Sequence, residues 1–153
     1  MEESLLFFQR KFSKTTNPEE FNKNYAYNIR HSYGKEGKRT NYTPYNCVKI
    51  IMNNAPQTSG DHHGCPFRHY DEENLSVLLN KLKIGSVSER EEIKRLKREK
   101  HYQLACVKHF EVVHPNAASA VKNLDLNGVG NHPNAWFAAS VRYRGTLNGG
   151  ESD

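Results

Sequence analysis

Apolar residues at the start of the chain recur at helical spacing. A single cluster predicts a helix over residues 1–12, made of Leu5, Leu6, Phe7, Phe8 and Phe12. This helix opens the chain without an N-cap, so we expect preceding polypeptide to pack against it. A second helix is predicted from Asn17 as N-cap, with Pro18 at its first position and its end near Asn24.

Two further helices are predicted before the middle of the chain. Thr43 is the expected cap of the third, with Pro44 in its first turn and a stop at residues 53–56. Asp71 is the expected cap of the fourth, which Gly85 should terminate. Their apolar faces are Val48, Ile50 and Ile51 in the third, and Leu75, Leu78, Leu79 and Leu82 in the fourth.

The longest helix is predicted to begin at a capping box, Ser88 to Glu91, and to run to His114. Its early part alternates in charge and should be a solvated face with i,i+4 ion pairs. From Pro115 the chain has a loop-like composition, with residues 132–137 plugging the edge of the core. The pattern therefore predicts a mainly α, irregular helical domain with long loops, over residues 1–145, and a disordered tail over 146–153.

Composition changes this picture in two ways. Hydrophobic residues make up 36% of the 153 residues and mean hydropathy is −0.85, so the core should be thin for the length of the chain. The formal charge of +5 favours a polyanionic partner. Three cysteines are an odd number, and we find no signal peptide or long apolar run. We therefore expect a reducing compartment and cysteines that are free or metal-bound.

A basic and aromatic stretch lies between Tyr25 and Tyr42. Four tyrosines alternate there with basic side chains, and Glu36 is the single acid among them. Tyrosine rings can stack on bases while arginine and lysine neutralise phosphates, so the stretch predicts nucleic-acid binding. A solvated basic loop with half-buried tyrosines is the alternative. The basic side chains are Arg30, Lys35, Lys38 and Arg39.

Residues 60–69 concentrate metal-binding chemistry in one loop. Gly64 and Pro66 flank Cys65 and should hold its sulfur on a rigid bend, as a metal ligand is held. Cys47 lies in the first turns of the third helix, and Cys106 lies near the apolar stripe of the longest helix. The cysteine spacing is too open for a zinc ribbon or finger.

Several functions remain open for this cluster of cysteines. A polar surface loop needs no ligand at all. Cys65 with His63 or His69 could instead form the nucleophile and base of a hydrolase. The three cysteines and a histidine could also bind zinc and staple an interaction domain.

Four sequence segments resemble a known family. They are Tyr25 to Thr40 (YAYNIRHSYGKEGKRT), Tyr42 to Cys47 (YTPYNC), His63 to His69 (HGCPFRH) and His101 to Cys106 (HYQLAC), the last followed by Phe110 and Glu111. Together they resemble the C-terminal iron–sulfur domain of the large subunit of eukaryotic DNA primase, over roughly residues 5–140. His132 to Asn134 is similar to the closing segment of that domain.

The resemblance implies a helical domain wrapped on a 4Fe–4S cluster. The last three cluster ligands of the family correspond to Cys47, Cys65 and Cys106, and the first ligand is expected upstream of Met1. The domain would not be catalytic, since the catalytic carboxylates of this family lie on the small subunit. It would bind the primer–template and the primer 5′-triphosphate, in the nucleus, together with the small catalytic subunit and the DNA polymerase alpha complex, and away from membranes. The resemblance also implies which residues contact nucleic acid: Phe8, Tyr25, Tyr27, Asn28, Arg30, His31, Lys35, Lys38 and Arg39.

Overall fold

The computed structural model describes residues 1–53, 55–58, 61, 63–121 and 124–148. Within these residues the protein is mainly α-helical and contains no strand, which confirms the predicted class. The chain divides into two compact units, Met1–Pro44 and Tyr45–Asp153, called here the N-terminal and the C-terminal unit. In the described part of the chain, no helix has both the length and the apolar character to cross a membrane.

The N-terminal unit contains three short helices. Asn17 caps the second of them, because its side chain accepts a hydrogen bond from the Glu20 amide at 2.8 Å, and Pro18 occupies the first helical position. The predicted first two helices are thus confirmed, whereas the third, within the basic and aromatic stretch, was not foreseen. The helices are α1 (Glu2–Phe12), α2 (Pro18–Asn24) and α3 (Ala26–Ser32).

The core of the N-terminal unit is small and aromatic. Phe21 and Ala26 are buried, whereas α1 contributes no fully buried residue. The Phe12 ring lies 5.8 Å from the Phe21 ring and 4.6 Å from the Tyr25 ring, at tilted or edge-on angles that aromatic pairs favour. This aromatic group fixes α1, α2 and the start of α3 to one another.

The C-terminal unit contains eight helices in its described residues. Helix α7 packs on α8, α8 on α10, and α10 on α11, while α5 and α4 contact α8 and α10 respectively. The helices are α4 (Cys47–Met52), α5 (Pro66–His69), α6 (Glu72–Lys81), α7 (Val87–Arg98), α8 (Tyr102–Val113), α9 (Ala117–Ala120), α10 (Leu126–Asn131) and α11 (Pro133–Asn148).

Two hydrophobic clusters form the core of the C-terminal unit. The first joins α5, α6, α7 and α8 through Phe67, Leu75, Leu79, Ile93 and Ala105. The second joins α8 to the last three helices through Phe110, Ala117, Val129, Ala139 and Tyr143. Two modest clusters, rather than one large one, agree with the thin core that composition predicts.

Two predicted helix starts are wrong by two or three residues. Asn46, not Thr43, caps α4, since its side chain accepts the Lys49 amide at 2.8 Å. The capping box of α7 is formed by Ser86 and Glu89, whose side chains each bond the other's backbone amide. In both places neighbouring residues satisfy the same capping rule, and the sequence does not say which one the chain uses.

The predicted ends of the middle helices are also wrong. Helix α6 ends at Lys81, before Gly85, and the predicted long helix is divided into α7 and α8. Each break is a Schellman motif with a left-handed lysine: Lys83 (φ 51°) after α6 and Lys100 (φ 63°) after α7. After α7, the Lys100 amide bonds the Lys97 carbonyl and the His101 amide bonds the Leu96 carbonyl, both at 2.9 Å. Glycine is the residue that normally marks this motif, so the lysines gave no signal.

The prediction of a loop-like segment from Pro115 is wrong as well. Three helices follow it, and α11 is 16 residues long. It is held because Ala139 and Tyr143 are buried in the second cluster and the Tyr143 hydroxyl bonds the Pro115 carbonyl at 2.9 Å. Trp136 packs on the edge of that cluster as predicted, although Phe137 is 68% exposed. Residues 146–148 belong to α11, and residues 149–153 lie outside the described residues.

Candidate functional site

The three cysteines line one cavity of about 400 Å³ within the C-terminal unit, called here the cysteine cavity. Cys47 is the first residue of α4, Cys65 precedes α5, and Cys106 lies in α8. They are distant in sequence, so only the packing of these helices brings them to a common space. The structure thus places all three predicted cluster ligands in the wall of one cavity.

A tight turn presents Cys65 to the cavity. Gly64 has φ 77°, and a β-carbon at this position would lie 2.3 Å from His69 Nδ1, so glycine is required there. The Cys65 amide donates to His69 Nδ1 at 2.9 Å, and the Cys65 carbonyl accepts the His69 amide at 2.7 Å. Gly60 and His62 of the predicted loop lie outside the described residues.

The rest of the cavity wall is almost entirely apolar. Leucines of α6 and aromatic rings of α5 and α11 supply most of it, together with α10. His109, one helical turn after Cys106, also lies in the wall, with its ring 5.8 Å from Phe67 and 6.1 Å from Trp136. Such a wall excludes water and weakens the solvation of any charge placed inside.

Burial controls the ionisation of the three thiols. The pKa of Cys106 is raised to about 12, chiefly by burial and then by the charges of the nearby Cys47 and Cys65. The pKa of Cys47 is raised by burial and then by Cys65. These mutual effects require the thiols to be close enough for their charges to interact. Without a bound cation, all three remain protonated at neutral pH.

Cys65 has the most positive surroundings of the three. Burial raises its pKa, but hydrogen bonds from the Arg68 and Phe67 amides and the charges of Lys97 and Arg68 act in the opposite direction. Lys97 is held in place by its Nζ, which donates to the Phe67 carbonyl at 3.1 Å. Burial, followed by Arg68, lowers the pKa of Lys97. This positive environment suits a thiolate that binds a metal group.

The geometry disfavours both alternative readings of the cysteines. Among the described residues, no three histidine, cysteine or acidic side chains are close enough to hold one metal ion, as a structural zinc site would require. For a hydrolase, His63 or His69 would have to activate the Cys65 thiol. His69 Nδ1 instead accepts the Cys65 backbone amide, and the thiol pKa is raised rather than lowered.

The N-terminal unit carries the second candidate site, on helix α3 and the loop of residues 33–40 that follows it. Tyr27, Arg30 and His31 share one side of the helix through i+3 and i+4 spacing. The His31 ring lies between the rings of Tyr27 (6.0 Å) and Tyr42 (5.3 Å), and Tyr27 is 47% exposed. We call this surface the α3 face. It combines exposed aromatic rings with a guanidinium group.

The other predicted contact residues are distributed around the α3 face. Asn28 is exposed on α3, and Lys35, Lys38 and Arg39 are exposed in the loop. Tyr25 is 38% exposed, although its ring also packs on Phe12 and Phe21 in the aromatic core. Phe8 is exposed on α1, and the ring contact that the structure gives it is with Phe7.

Sequence reasoning missed three residues at these sites. Glu36 forms an ion pair with Arg30 at 2.6 Å. The sequence could have drawn attention to Glu36, because it is the sole acid in a basic stretch. Lys97 lies near Cys65. The sequence could have indicated that Lys97 has a partner elsewhere, because no acidic residue lies three or four positions away on its own helix. His109 enters the cavity because it follows Cys106 by one turn, which the helical period alone could have shown.

The fold and the two sites together define a class: a helical domain that combines a partly buried three-cysteine cavity with an exposed basic and aromatic helix face. The family model described as the C-terminal domain of the large subunit of eukaryotic and archaeal DNA primase matches residues 1–137. The chain belongs to this family.

Individual relatives agree with the family match. The chain is 47% identical to the human DNA primase large subunit over 155 residues, which cover 99% of this chain and 28% of that protein. It is 45% identical to the probable DNA primase large subunit of Arabidopsis thaliana, over 93% of this chain and 29% of that protein. The chain is 38% identical to the DNA primase large subunit of Saccharomyces cerevisiae, over 91% of this chain and 26% of that protein. The chain thus spans less than a third of the length of these relatives.

Proposed function

We propose that this chain is the nucleic-acid-binding, cluster-holding module of a DNA primase large subunit, which binds the primer–template junction and the primer 5′-triphosphate during RNA primer synthesis. The observation that carries the proposal is the cysteine cavity, where three residues remote in sequence line one space in a chain of this family.

The donor set fits a 4Fe–4S cluster. Cys47, Cys65 and Cys106 would supply three thiolates, and such a cluster takes four ligands. The cavity of about 400 Å³ has a mostly apolar wall and all three thiols in its lining, which suits a multinuclear group held by cysteines. When bound, the cluster would cross-link the helices around it and could exchange an electron. Lys97 and Arg68 would offset its negative charge.

The α3 face supports the nucleic-acid part of the proposal. Exposed tyrosine rings offer stacking surfaces, and Arg30 offers a planar group that can bind phosphate oxygens in pairs. Lys35, Lys38 and Arg39 add exposed positive charge in the same unit.

The relatives are named as primase large subunits, so we extend the proposal to the assembly. The partners would be the small catalytic subunit and the DNA polymerase alpha complex, and the site of action the nucleus. In this arrangement the module holds the start of the primer while the small subunit extends its other end.

Two measurements test the proposal. Anaerobic reconstitution with iron and sulfide should give visible absorbance and about four irons per chain in a form extended upstream to include a fourth cysteine, with less iron in the present chain. Fluorescence anisotropy at one fixed salt concentration should show tighter binding of a junction with a 5′-triphosphate than of the same junction with a 5′-hydroxyl. A colourless extended form would contradict the cluster proposal, and equal affinities for the two ends would contradict the recognition proposal.

A further inference from the structure

The side chain of Glu36 is tied to the guanidinium group of the α3 face. Arg30 Nε donates to Glu36 Oε1 at 2.6 Å, with 35% of the Arg30 and 30% of the Glu36 side chain exposed. Glu36 is the single acid between Tyr25 and Tyr42. An acid in a phosphate-binding surface should weaken it, unless the acid performs another task.

The loop that carries Glu36 is folded back onto α3 by its backbone. The Lys35 amide donates to the Arg30 carbonyl at 3.0 Å, and the Gly34 amide donates to the His31 carbonyl at 2.9 Å. Gly34 has φ 65°, and a β-carbon there would lie 2.8 Å from the Thr40 carbonyl oxygen, so the loop needs glycine at this point.

The tip of the loop also lies against the aromatic rings of the helix. A β-carbon on Gly37 (φ 58°) would be 3.5 Å from the His31 ring and 3.6 Å from the Tyr27 hydroxyl. The loop therefore passes close over the α3 face. The position of the Glu36 carboxylate relative to Arg30 is set by these contacts rather than by a free chain.

The geometry leaves one edge of the guanidinium group available. Arginine has five N–H donors, of which Nε carries one. Within the described residues the structure gives no partner to the four N–H groups on the two Nη atoms, while Nε is held by Glu36. The Nη–Nη edge is one of the edges that bind two oxygens of a phosphate at once.

We propose that Glu36 is a positioning residue, which fixes the Arg30 guanidinium so that its Nη edge is presented to a compact, multiply charged phosphate group. This inference rests on the proposed recognition of a primer 5′-triphosphate. It adds that selectivity for this end depends on an acidic residue that itself repels the ligand. Holding the guanidinium in advance reduces the conformational entropy that is lost on binding.

The test compares selectivity rather than affinity. For each variant, the dissociation constant for a 5′-hydroxyl junction is divided by that for the 5′-triphosphate junction, by fluorescence anisotropy at one salt concentration. Glu36→Ala should lower this ratio about threefold to fivefold, the range of a partly exposed ion pair. Glu36→Gln, which keeps an oxygen acceptor, should retain most of it. Glu19→Ala is the matched control, because it removes one exposed acid from the same unit away from α3.

A double-mutant cycle separates positioning from charge. In Arg30→Ala/Glu36→Ala the ratio should equal that of Arg30→Ala alone, because Glu36 acts through Arg30. A Glu36→Ala ratio equal to wild type, or above it as for an acid that blocks the site, would overturn the inference. So would equal changes in Glu36→Ala and Glu19→Ala.

A measurement without ligand tests the geometry separately. The Arg30 Nε–H resonance in NMR spectra of the free protein should shift on Glu36→Ala, while the melting temperature changes little; an unshifted resonance would overturn the inference. The wild-type ratio and Arg30→Ala test the proposed recognition on their own. A wild-type ratio of one would overturn both proposals, whereas a ratio that falls in Arg30→Ala and not in Glu36→Ala would overturn only the present one.

Discussion

The cysteine cavity and the α3 face differ in how their residues are brought together. Cys47 and Cys106 come from helices α4 and α8, Cys65 comes from the turn before α5, and the three line one apolar space. Tyr27, Arg30 and His31 come from two turns of one helix and are at least partly exposed. The first site is a product of tertiary packing, and the second is a product of local structure.

This difference has a chemical consequence. In the cavity, burial suppresses the ionisation of the thiols, so their reactivity depends on a bound cation to replace the lost water. On the α3 face, the charged groups remain in contact with solvent, and salt should screen them. Changes in the cavity should therefore act on metal content, and changes on the α3 face on salt-dependent binding.

The largest expected effect follows removal of one cavity thiol. Cys106→Ser in the extended form should abolish most of the visible absorbance and the iron bound after anaerobic reconstitution, because three thiolates hold a 4Fe–4S cluster poorly. Ser88→Ala, an exposed change on α7, is the matched control and should keep full iron content. Full iron content in Cys106→Ser would show that the cysteine cavity is not the metal site.

A second prediction tests whether the cavity suppresses ionisation. In the metal-free variant Cys47→Ser/Cys65→Ser, Cys106 should react with iodoacetamide at pH 9 about a hundredfold more slowly when folded than in urea. In the unchanged protein the pKa of Cys106 is raised from 9.0 to about 12, chiefly by burial, and the two serines remove only the smaller contributions of Cys47 and Cys65. The folded rate should therefore continue to rise with pH above 9 while the unfolded rate levels off.

The raised pKa of Cys106 also makes the stability of the folded protein depend on pH. Because the raised pKa favours the protonated thiol in the folded state, this group's contribution to the free energy of unfolding is fully present below pH 9 and is lost as the pH rises toward about 12.

Equal alkylation rates for the folded and the unfolded protein would show that the thiol is not shielded, and the contrast between the two sites would disappear.

The smallest expected effect concerns a single charge near the α3 face. Lys38→Ala should reduce the slope of log affinity against log salt concentration by about 0.7–0.9, the loss of one phosphate contact. Lys23→Ala removes the same charge from the end of α2 and should leave the slope unchanged. Equal slopes for the two variants would mean that the loop makes no particular contact and that the unit binds through net charge alone.

Much of the local structure followed from the sequence. Asn17 with Pro18, and Asp71 with its run of leucines, identify helix starts because a cap is satisfied within four residues. The sequence also predicted the basic and aromatic character of the α3 face, since its residues are neighbours in the chain. Even the ion pairs of α7, such as Lys94 with Glu91 and Arg95 with Glu99, follow from helical spacing.

Other features depended on contacts between distant residues. The breaks after α6 and α7 use the left-handed residues Lys83 and Lys100, which the chain accepts because the helices that follow pack back onto the core. Helix α11 has a composition that predicts a loop, and it exists because Ala139 and Tyr143 are buried against Phe110. Propensity is a weak preference that packing can override.

The sequence by itself determined the chemical inventory: three thiols, a basic and aromatic stretch, and the segments that resemble a primase large subunit. The tertiary structure alone decided that Cys47, Cys65 and Cys106 share one cavity and that Lys97 lies beside Cys65. The reason is physical. Helical spacing constrains residues a few positions apart, whereas groups tens of residues apart meet only when burial of apolar surface fixes their helices against one another.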